Sequence, residues 1–97
     1  MSEKAIEQKI RAEIRRLGGK VYKMHGTQYS VMGAPDLVGC LDKVSFAIEV
    51  KVPGKKPTPR QQLELDEWRA QGWATGVATS VDEAIAIIQE AWEAGVQ

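Results

Sequence analysis

Leu37-Val-Gly-Cys-Leu-Asp-Lys-Val-Ser-Phe-Ala-Ile-Glu-Val-Lys-Val52 contains two β-rich segments, 37–41 and 44–52, separated by only two residues. β-Branched and aromatic residues favour strands, and the short connection Asp42-Lys43 predicts a tight hairpin. We therefore expect an antiparallel pair of strands here, which fixes the centre of a β-sheet.

The second of these strands carries different chemistry on its two faces. Because side chains alternate along a strand, its large apolar residues share one face, which we expect in the core: Phe46, Ile48, Val50 and Val52. Glu49 and Lys51 share the other face. An isolated Glu-x-Lys pair on such a strand is usually a solvated surface, so these two residues need further support before they indicate a site.

Helical patterns surround the hairpin. Before the hairpin we expect a helix at about 3–17 with Ser2 as its N-cap, a strand at 20–24 and a loop at 25–35. After the hairpin, the capping box Thr58-Pro-Arg-Gln61 predicts a helix that runs to about residue 71. A strand at 73–78 follows, and the capping box Ser80-Val-Asp-Glu83 begins a last helix. The order α-β-β-β-α-β-α predicts a single small α/β domain over residues 1–97, with a mixed sheet flanked by helices.

The composition is that of a globular protein, with 43% hydrophobic and 27% charged residues. No apolar run is long enough to cross a bilayer, and the N-terminus lacks the apolar stretch of a signal peptide, so no membrane partner is expected. The single cysteine, Cys40, excludes an internal disulfide bond and fits a reducing compartment, and we expect a cytoplasmic protein.

The net charge of zero hides an asymmetry along the chain. Residues 1–60 hold twelve Lys and Arg against six acids, a net charge of +6, whereas residues 61–97 hold one against seven, a net charge of −6. A basic part of this kind is compatible with a surface that binds a polyanion.

A second carboxylate is expected to join Glu49. Asp36 stands at the start of the partner strand, and the hairpin can bring it beside Glu49. Two converging carboxylates are costly without a cation between them, and Mg²⁺ and Mn²⁺ favour such oxygen ligands. Lys51 could then orient or help to deprotonate a coordinated water, or stabilise the charge that builds on a phosphate. These are the parts that phosphodiester hydrolysis needs.

The pattern Gly33-Ala-Pro-Asp36, followed by Glu49-Val-Lys51, resembles the PD-(D/E)xK nuclease superfamily. The acid-bearing first helix, Phe46-Ala-Ile-Glu-Val-Lys51 and the helix start Thr58-Pro-Arg-Gln61 make the chain most similar to a stand-alone VRR-NUC domain, over about residues 3–90. The resemblance implies a restriction-endonuclease-like fold and an Mg²⁺- or Mn²⁺-dependent endodeoxyribonuclease, without a small-molecule organic cofactor.

The resemblance also implies roles for single positions. Asp36 and Glu49 would be the metal ligands, with the Val50 carbonyl as a further candidate ligand, and Lys51 would be the catalytic lysine. Gln61 would approach the site, although its capping role explains it equally well. The family's glutamate on the first helix is matched best by Glu7, which borders the apolar stripe of that helix, with Glu3 second.

Three further residue groups carry expectations. Lys55, Lys56 and Arg60 are the best candidates for phosphate contacts, because the turn and helix start that carry them follow the Glu49–Lys51 strand. Loop 25–35, with His25 and Tyr29, leads into Asp36 and is a further candidate. Cys40 and the three tryptophans are expected in the core, with one tryptophan at a subunit interface as an alternative.

The first functional hypothesis is a metal-dependent DNA endonuclease that resolves four-way (Holliday) junctions as a homodimer. One small domain carries one site, and a two-fold dimer supplies the two that cutting both strands requires. The alternatives are a flap or nicking nuclease that acts as a monomer, a nucleic-acid-binding module without catalysis, and an adaptor that binds protein.

Overall fold

The computed structural model describes residues 1–24 and 31–95. Its elements are helix α1 (Glu3–Arg16), strands β1 (Lys20–Lys23), β2 (Leu37–Leu41) and β3 (Val44–Val50), helix α2 (Pro59–Ala70), strand β4 (Ala74–Ala78) and helix α3 (Val81–Glu93). The predicted order is confirmed, and the bounds agree within two residues. Of the predicted loop 25–35, residues 25–30 with His25 and Tyr29 lie outside the described residues.

The four strands form one sheet in the order β1-β2-β3-β4. The first two pairings are antiparallel and the pairing of β3 with β4 is parallel, so the prediction of a mixed sheet is confirmed. Leu41 pairs with Val44 across the hairpin, and the connecting Asp42 and Lys43 both have positive φ, 51° and 69°. Two left-handed residues match the right-handed twist of the strands they join, so this turn fixes the register of β2 against β3.

Side-chain caps begin the helices where the sequence predicts. The Thr58 hydroxyl accepts a hydrogen bond from the Gln61 N–H, and the Gln61 side-chain oxygen accepts one from the Thr58 N–H. Ser80 caps α3 by accepting from the Glu83 N–H, and Ser2 caps α1 by accepting from the Ala5 N–H. Such caps satisfy backbone donors that have no partner within the helix.

The helices cover the sheet unequally. Apolar residues of α1 and α3 pack on the face of β3 that carries Phe46 and Ile48. On the same side, α3 lies so close to β4 that a Cβ at Gly76 would meet Ile87. We call this side of the sheet the α1/α3 face. On the opposite face, Arg69 of α2 donates to the Thr75 hydroxyl and carbonyl, so this is the α2 face. It carries Ala47 and Glu49 on β3, since Thr75 pairs with Ala47.

Helix α2 packs chiefly on β3 and β4, and among the described residues the α2 face of β1 and β2 is exposed apart from the half-buried Val38. The expectation that Cys40 is buried is therefore wrong, because its side chain on β2 lies beyond the cover of α2 and is exposed. Trp92 is also not in the core and is 51% exposed. Trp68 and Trp73 are half-buried and pack edge to face, with ring centroids 4.6 Å apart.

Within residues 1–24 and 31–95, the three helices are too short or too polar for any of them to span a bilayer.

Candidate active site

Two carboxylates meet where β2 begins and β3 ends. Leu37 pairs with Ile48, so the next position along each strand brings Asp36 opposite Glu49. Both residues are buried, with 5% and 1% of their surface exposed. The Val50 N–H donates to Asp36 Oδ2 at 2.7 Å, which fixes the aspartate to the residue that follows Glu49. The hairpin therefore brings Asp36 beside Glu49, as the sequence predicted.

The segment before Asp36 packs closely against the first turn of α2. Gly33 has φ of 79°, and a Cβ on it would lie 2.7 Å from Arg60 Cγ and 3.0 Å from Arg60 backbone atoms. On the other side, the Met24 N–H donates to the Asp36 carbonyl at 2.8 Å. Only glycine gives both the positive φ and this close approach, so Gly33 helps to place Asp36.

The surroundings of Glu49 favour its protonated form. The pKa of Glu49 is raised to about 8, chiefly by burial and then by the Asp36 charge; Lys51 opposes these effects, while a hydrogen bond with the Asp36 side chain and the Glu3 charge contribute smaller increases. Glu49 Oε1 is buried and has no hydrogen-bond partner in the part of the chain that the structure describes. Lys51 Nζ lies 3.7 Å from Glu49 Oε2, with 13% of the Lys51 side chain exposed.

This donor set fits a divalent cation. An orphaned buried carboxylate oxygen beside a second carboxylate is the arrangement that a hard cation would satisfy. Among the described residues, no three His, Cys, Asp or Glu side chains lie close enough together to hold a metal. Asp36 and Glu49 would need a backbone carbonyl, such as that of Val50, and waters to complete a coordination shell.

The acids of α1 have different surroundings. Glu7 is buried, with 6% exposure, and its Oε1 lies 3.5 Å from Arg11 Nε and 3.9 Å from Lys23 Nζ. Glu3 is exposed, and its charge contributes to the raised pKa of Glu49. Ion pairs thus tie Glu7 to two cations, whereas Glu3 is related to the carboxylate pair only through its charge. A catalytic role for Glu7 stays a prediction.

The remaining predicted residues lie around the start of α2. The Gln61 side chain is engaged in the capping box, and its approach to the site stays a prediction. Lys55 and Lys56 are exposed in the turn after β3, where Lys55 N–H donates to the Val52 carbonyl. Arg60 Nε donates to the Met32 carbonyl at 3.4 Å, a tie to the segment before Asp36 that no local pattern in the sequence signals.

The chain is similar to known proteins over most of its length. "Putative nuclease p44" of Acyrthosiphon pisum secondary endosymbiont phage 1 is 37% identical over 82 residues, which cover 82% of this chain and 85% of that protein. No family model matches the chain.

Two solved structures share the fold. A chain described as "VRR_NUC domain" matches with a TM-score of 0.73 and 28% identity, over 92% of this chain and 97% of its own length. A "VRR_NUC domain protein" matches with a TM-score of 0.73 and 21% identity, over 96% and 89%. With the carboxylate pair and the neighbouring lysine in place, these similarities show that the chain belongs to the VRR-NUC family.

Proposed function

We propose that this protein is a metal-dependent DNA endonuclease that hydrolyses phosphodiester bonds. The observation that carries the proposal is the buried Asp36–Glu49 pair, with an unpartnered carboxylate oxygen and with Lys51 Nζ 3.7 Å from Glu49. An adaptor would gain nothing from two carboxylates buried side by side. The similarity to a protein named as a nuclease supports the same proposal.

The residues of the chain divide the work between them. Asp36 and Glu49 would hold Mg²⁺ or Mn²⁺, with the Val50 carbonyl as a third oxygen, and the Val50 N–H keeps Asp36 in place. The metal, when bound, supplies Lewis-acid stabilisation of the charge on the phosphate. Lys51 places its ammonium beside the carboxylates, where it can stabilise a phosphate oxygen or hold a proton at Nζ. In the hydrolysis, the oxygen of a water molecule bonds to phosphorus and gives up a proton, the bond from phosphorus to the leaving oxygen breaks, and the leaving oxygen takes up a proton, so that one water is consumed.

Three finer features belong to the same proposal. Lys55, Lys56 and Arg60 contact DNA phosphates, because they are exposed where β3 leads into α2. The substrate is branched DNA, with the four-way junction first, and a homodimer supplies two active sites. The single cysteine fits a reducing compartment, and a cytoplasmic location is part of the proposal.

Cleavage of defined substrates tests the proposal. The protein is incubated with linear, flapped and four-way-junction DNA in Mg²⁺ or Mn²⁺, and its mass in solution is measured. We expect symmetric cuts near the junction by a dimer, and loss of cleavage with binding retained in Lys51→Ala. Lys43→Ala, which changes an exposed lysine in the hairpin turn at the opposite end of β3, is the matched control and should cleave normally.

Other outcomes would select a different function. Equal cutting of all three substrates by a monomer would contradict junction resolution and a dimer. Binding without cleavage in wild type would indicate a nucleic-acid-binding module. Cleavage that survives in both Lys51→Ala and Glu49→Ala would show that these residues are not the catalytic centre.

A further inference from the structure

The α2 face of the sheet is divided into a covered half and an open half. On β3 and β4 its side chains Ala47, Glu49 and Thr75 are buried beneath α2. On β1 and β2 the same face carries four side chains, of which three are exposed and one is half-buried: Lys20, Tyr22, Cys40 and Val38. We call these four residues the open face.

The open face borders the carboxylate pair. Val38 lies two residues after Asp36 on β2, so both side chains point to the same side of the sheet, and Tyr22 is the partner of Val38 on β1. Two residues along a strand span about 7 Å and neighbouring strands lie about 5 Å apart, which places the backbone of Tyr22 about 8 Å from that of Asp36. A nucleic acid strand that reaches the carboxylates therefore has the open face within one or two nucleotides.

The chemistry of the open face suits a nucleobase. Tyr22 is 63% exposed, an unusual position for an aromatic ring, and it stands on strand β1 rather than on a loop. An aromatic side chain on an exposed sheet is a stacking platform for bases. Lys20 is the one charged residue among the four, so the open face adds a positive charge and no carboxylate that would repel a phosphate backbone.

We propose that the open face binds unpaired nucleobases, with Tyr22 stacking on a base beside the bond to be cut. This inference rests on the proposed function and specifies its substrate class. A base inside an intact duplex is stacked on both sides and cannot offer a free π-face to Tyr22. The face therefore selects DNA in which pairing is interrupted next to the cleavage position, as at a branch point, a bubble or a frayed end.

Binding without catalysis tests the inference. Affinities are measured in EDTA for a fully paired duplex and for the same sequence with a central bubble that carries 2-aminopurine. Tyr22→Leu removes the ring and keeps an apolar side chain on the strand, whereas Tyr22→Phe keeps the ring. Trp92→Leu, which removes an exposed aromatic residue from α3, is the matched control. Thermal unfolding and mass in solution are recorded for every variant.

We expect Tyr22→Leu to weaken binding to the bubble about tenfold and to abolish the quenching of 2-aminopurine, since stacking on one base is worth about this much. Its affinity for the paired duplex should change less than that. Tyr22→Phe and Trp92→Leu should resemble wild type on both DNAs. These results would support the inference, and because EDTA prevents metal-dependent cleavage, they would do so even if the nuclease proposal failed.

Three results would overturn the inference. Tyr22→Leu could weaken both DNAs equally, which would reduce Tyr22 to a general contact with the backbone. It could leave bubble binding unchanged. It could instead convert a dimer into a monomer while bubble binding persists, which would assign the open face to a second copy of this chain. Failure of wild type to cleave any DNA in Mn²⁺ would contradict the proposed function and not the stacking.

Discussion

Replacing Glu49 by Gln should stabilise the metal-free protein while it abolishes cleavage. Glutamine has the shape of the protonated glutamate and no charge, so it removes the conflict between two buried carboxylates and leaves the fold in place. The residue that the proposed chemistry needs most is thus one that the metal-free fold tolerates poorly in its ionised form, with 1% of its surface exposed and its Oε1 unpartnered among the described residues.

The size of the effect follows from the pKa of Glu49, which rises from its ordinary value of 4.5 to about 8 in the folded protein. A folded-state pKa above the unfolded one means that the folded state binds more protons between these values, so stability falls as pH rises through this window. At about 1.36 kcal/mol for each pKa unit, wild type loses about 3 kcal/mol between pH 4.5 and pH 7, and about 5 kcal/mol by pH 9. Glu49→Gln should recover these amounts.

Urea unfolding in EDTA at pH 5, 7 and 9, followed by tryptophan fluorescence, measures the effect. The advantage of Glu49→Gln over wild type should be small at pH 5 and largest at pH 9. Adding Mn²⁺ should stabilise wild type more at pH 8 than at pH 6, where it must displace the proton on Glu49, and should do little for Glu49→Gln. Glu49→Gln that is no more stable than wild type at pH 9 would refute the reasoning.

Glu83 supplies a control of opposite sign. Hydrogen bonds from Thr79 lower the pKa of Glu83, so its contribution to stability is present above the ordinary glutamate pKa and is lost as pH falls below it. Glu83→Gln should therefore destabilise the protein at pH 7, and the difference from wild type should shrink toward pH 3. A general effect of removing any acid would give both variants the same sign.

Three further substitutions test the surroundings of the site. If Glu7 serves the metal, Glu7→Gln should raise the half-saturating Mn²⁺ concentration at least tenfold. If Glu7 only holds Arg11 and Lys23, the same variant should raise the KM for DNA alone. Glu13→Gln, which breaks the exposed ion pair with Arg16 on the same helix, is the control. Gln61→Glu keeps the capping box and so should unfold within about 0.5 kcal/mol of wild type, while cleavage falls if Gln61 also approaches the site. Gly33→Ala should cost about 1–3 kcal/mol, measured by urea unfolding, because its Cβ would clash with Arg60 in a left-handed backbone.

The part of the site that lies on the hairpin was predictable because local rules determine it. A two-residue turn fixes the register, and the register then decides which residue opposes Glu49. Asp36 follows from this by counting along the strands. The caps of α2 and α3 were predictable for a similar reason, since each capping residue bonds to a backbone group three residues away.

The burial of a residue that depends on whether a helix covers its part of the sheet could not be predicted from the periodicity of the sequence. The alternation of side chains along β2 determines the side of the sheet on which Cys40 lies. Whether that side is buried depends on how far α2 extends across the sheet, and this is a matter of tertiary packing. Trp92 was likewise expected in the core with the other tryptophans, yet half of its surface is exposed on α3. The same limit hid the exposure of Tyr22.

Periodicity also cannot decide whether Glu3 or Glu7 of α1 is the third acid of the site, and this choice matters for the mechanism. Glu3 and Glu7 are four residues apart and lie on the same side of the helix, about 6 Å from one another, so helical spacing cannot separate them. Their neighbours distinguish the two acids. Glu7 forms an ion pair with Lys23 of β1, and the residue after Lys23, Met24, donates its N–H to the Asp36 carbonyl at the end of that strand. The charge of Glu3, one turn earlier, is the smallest of the effects that raise the pKa of Glu49. If the third acid of the site is Glu3, Glu3→Gln should impair Mn²⁺ activation more than Glu7→Gln does; the reverse order would assign that role to Glu7 and require it to leave its two cations when metal binds.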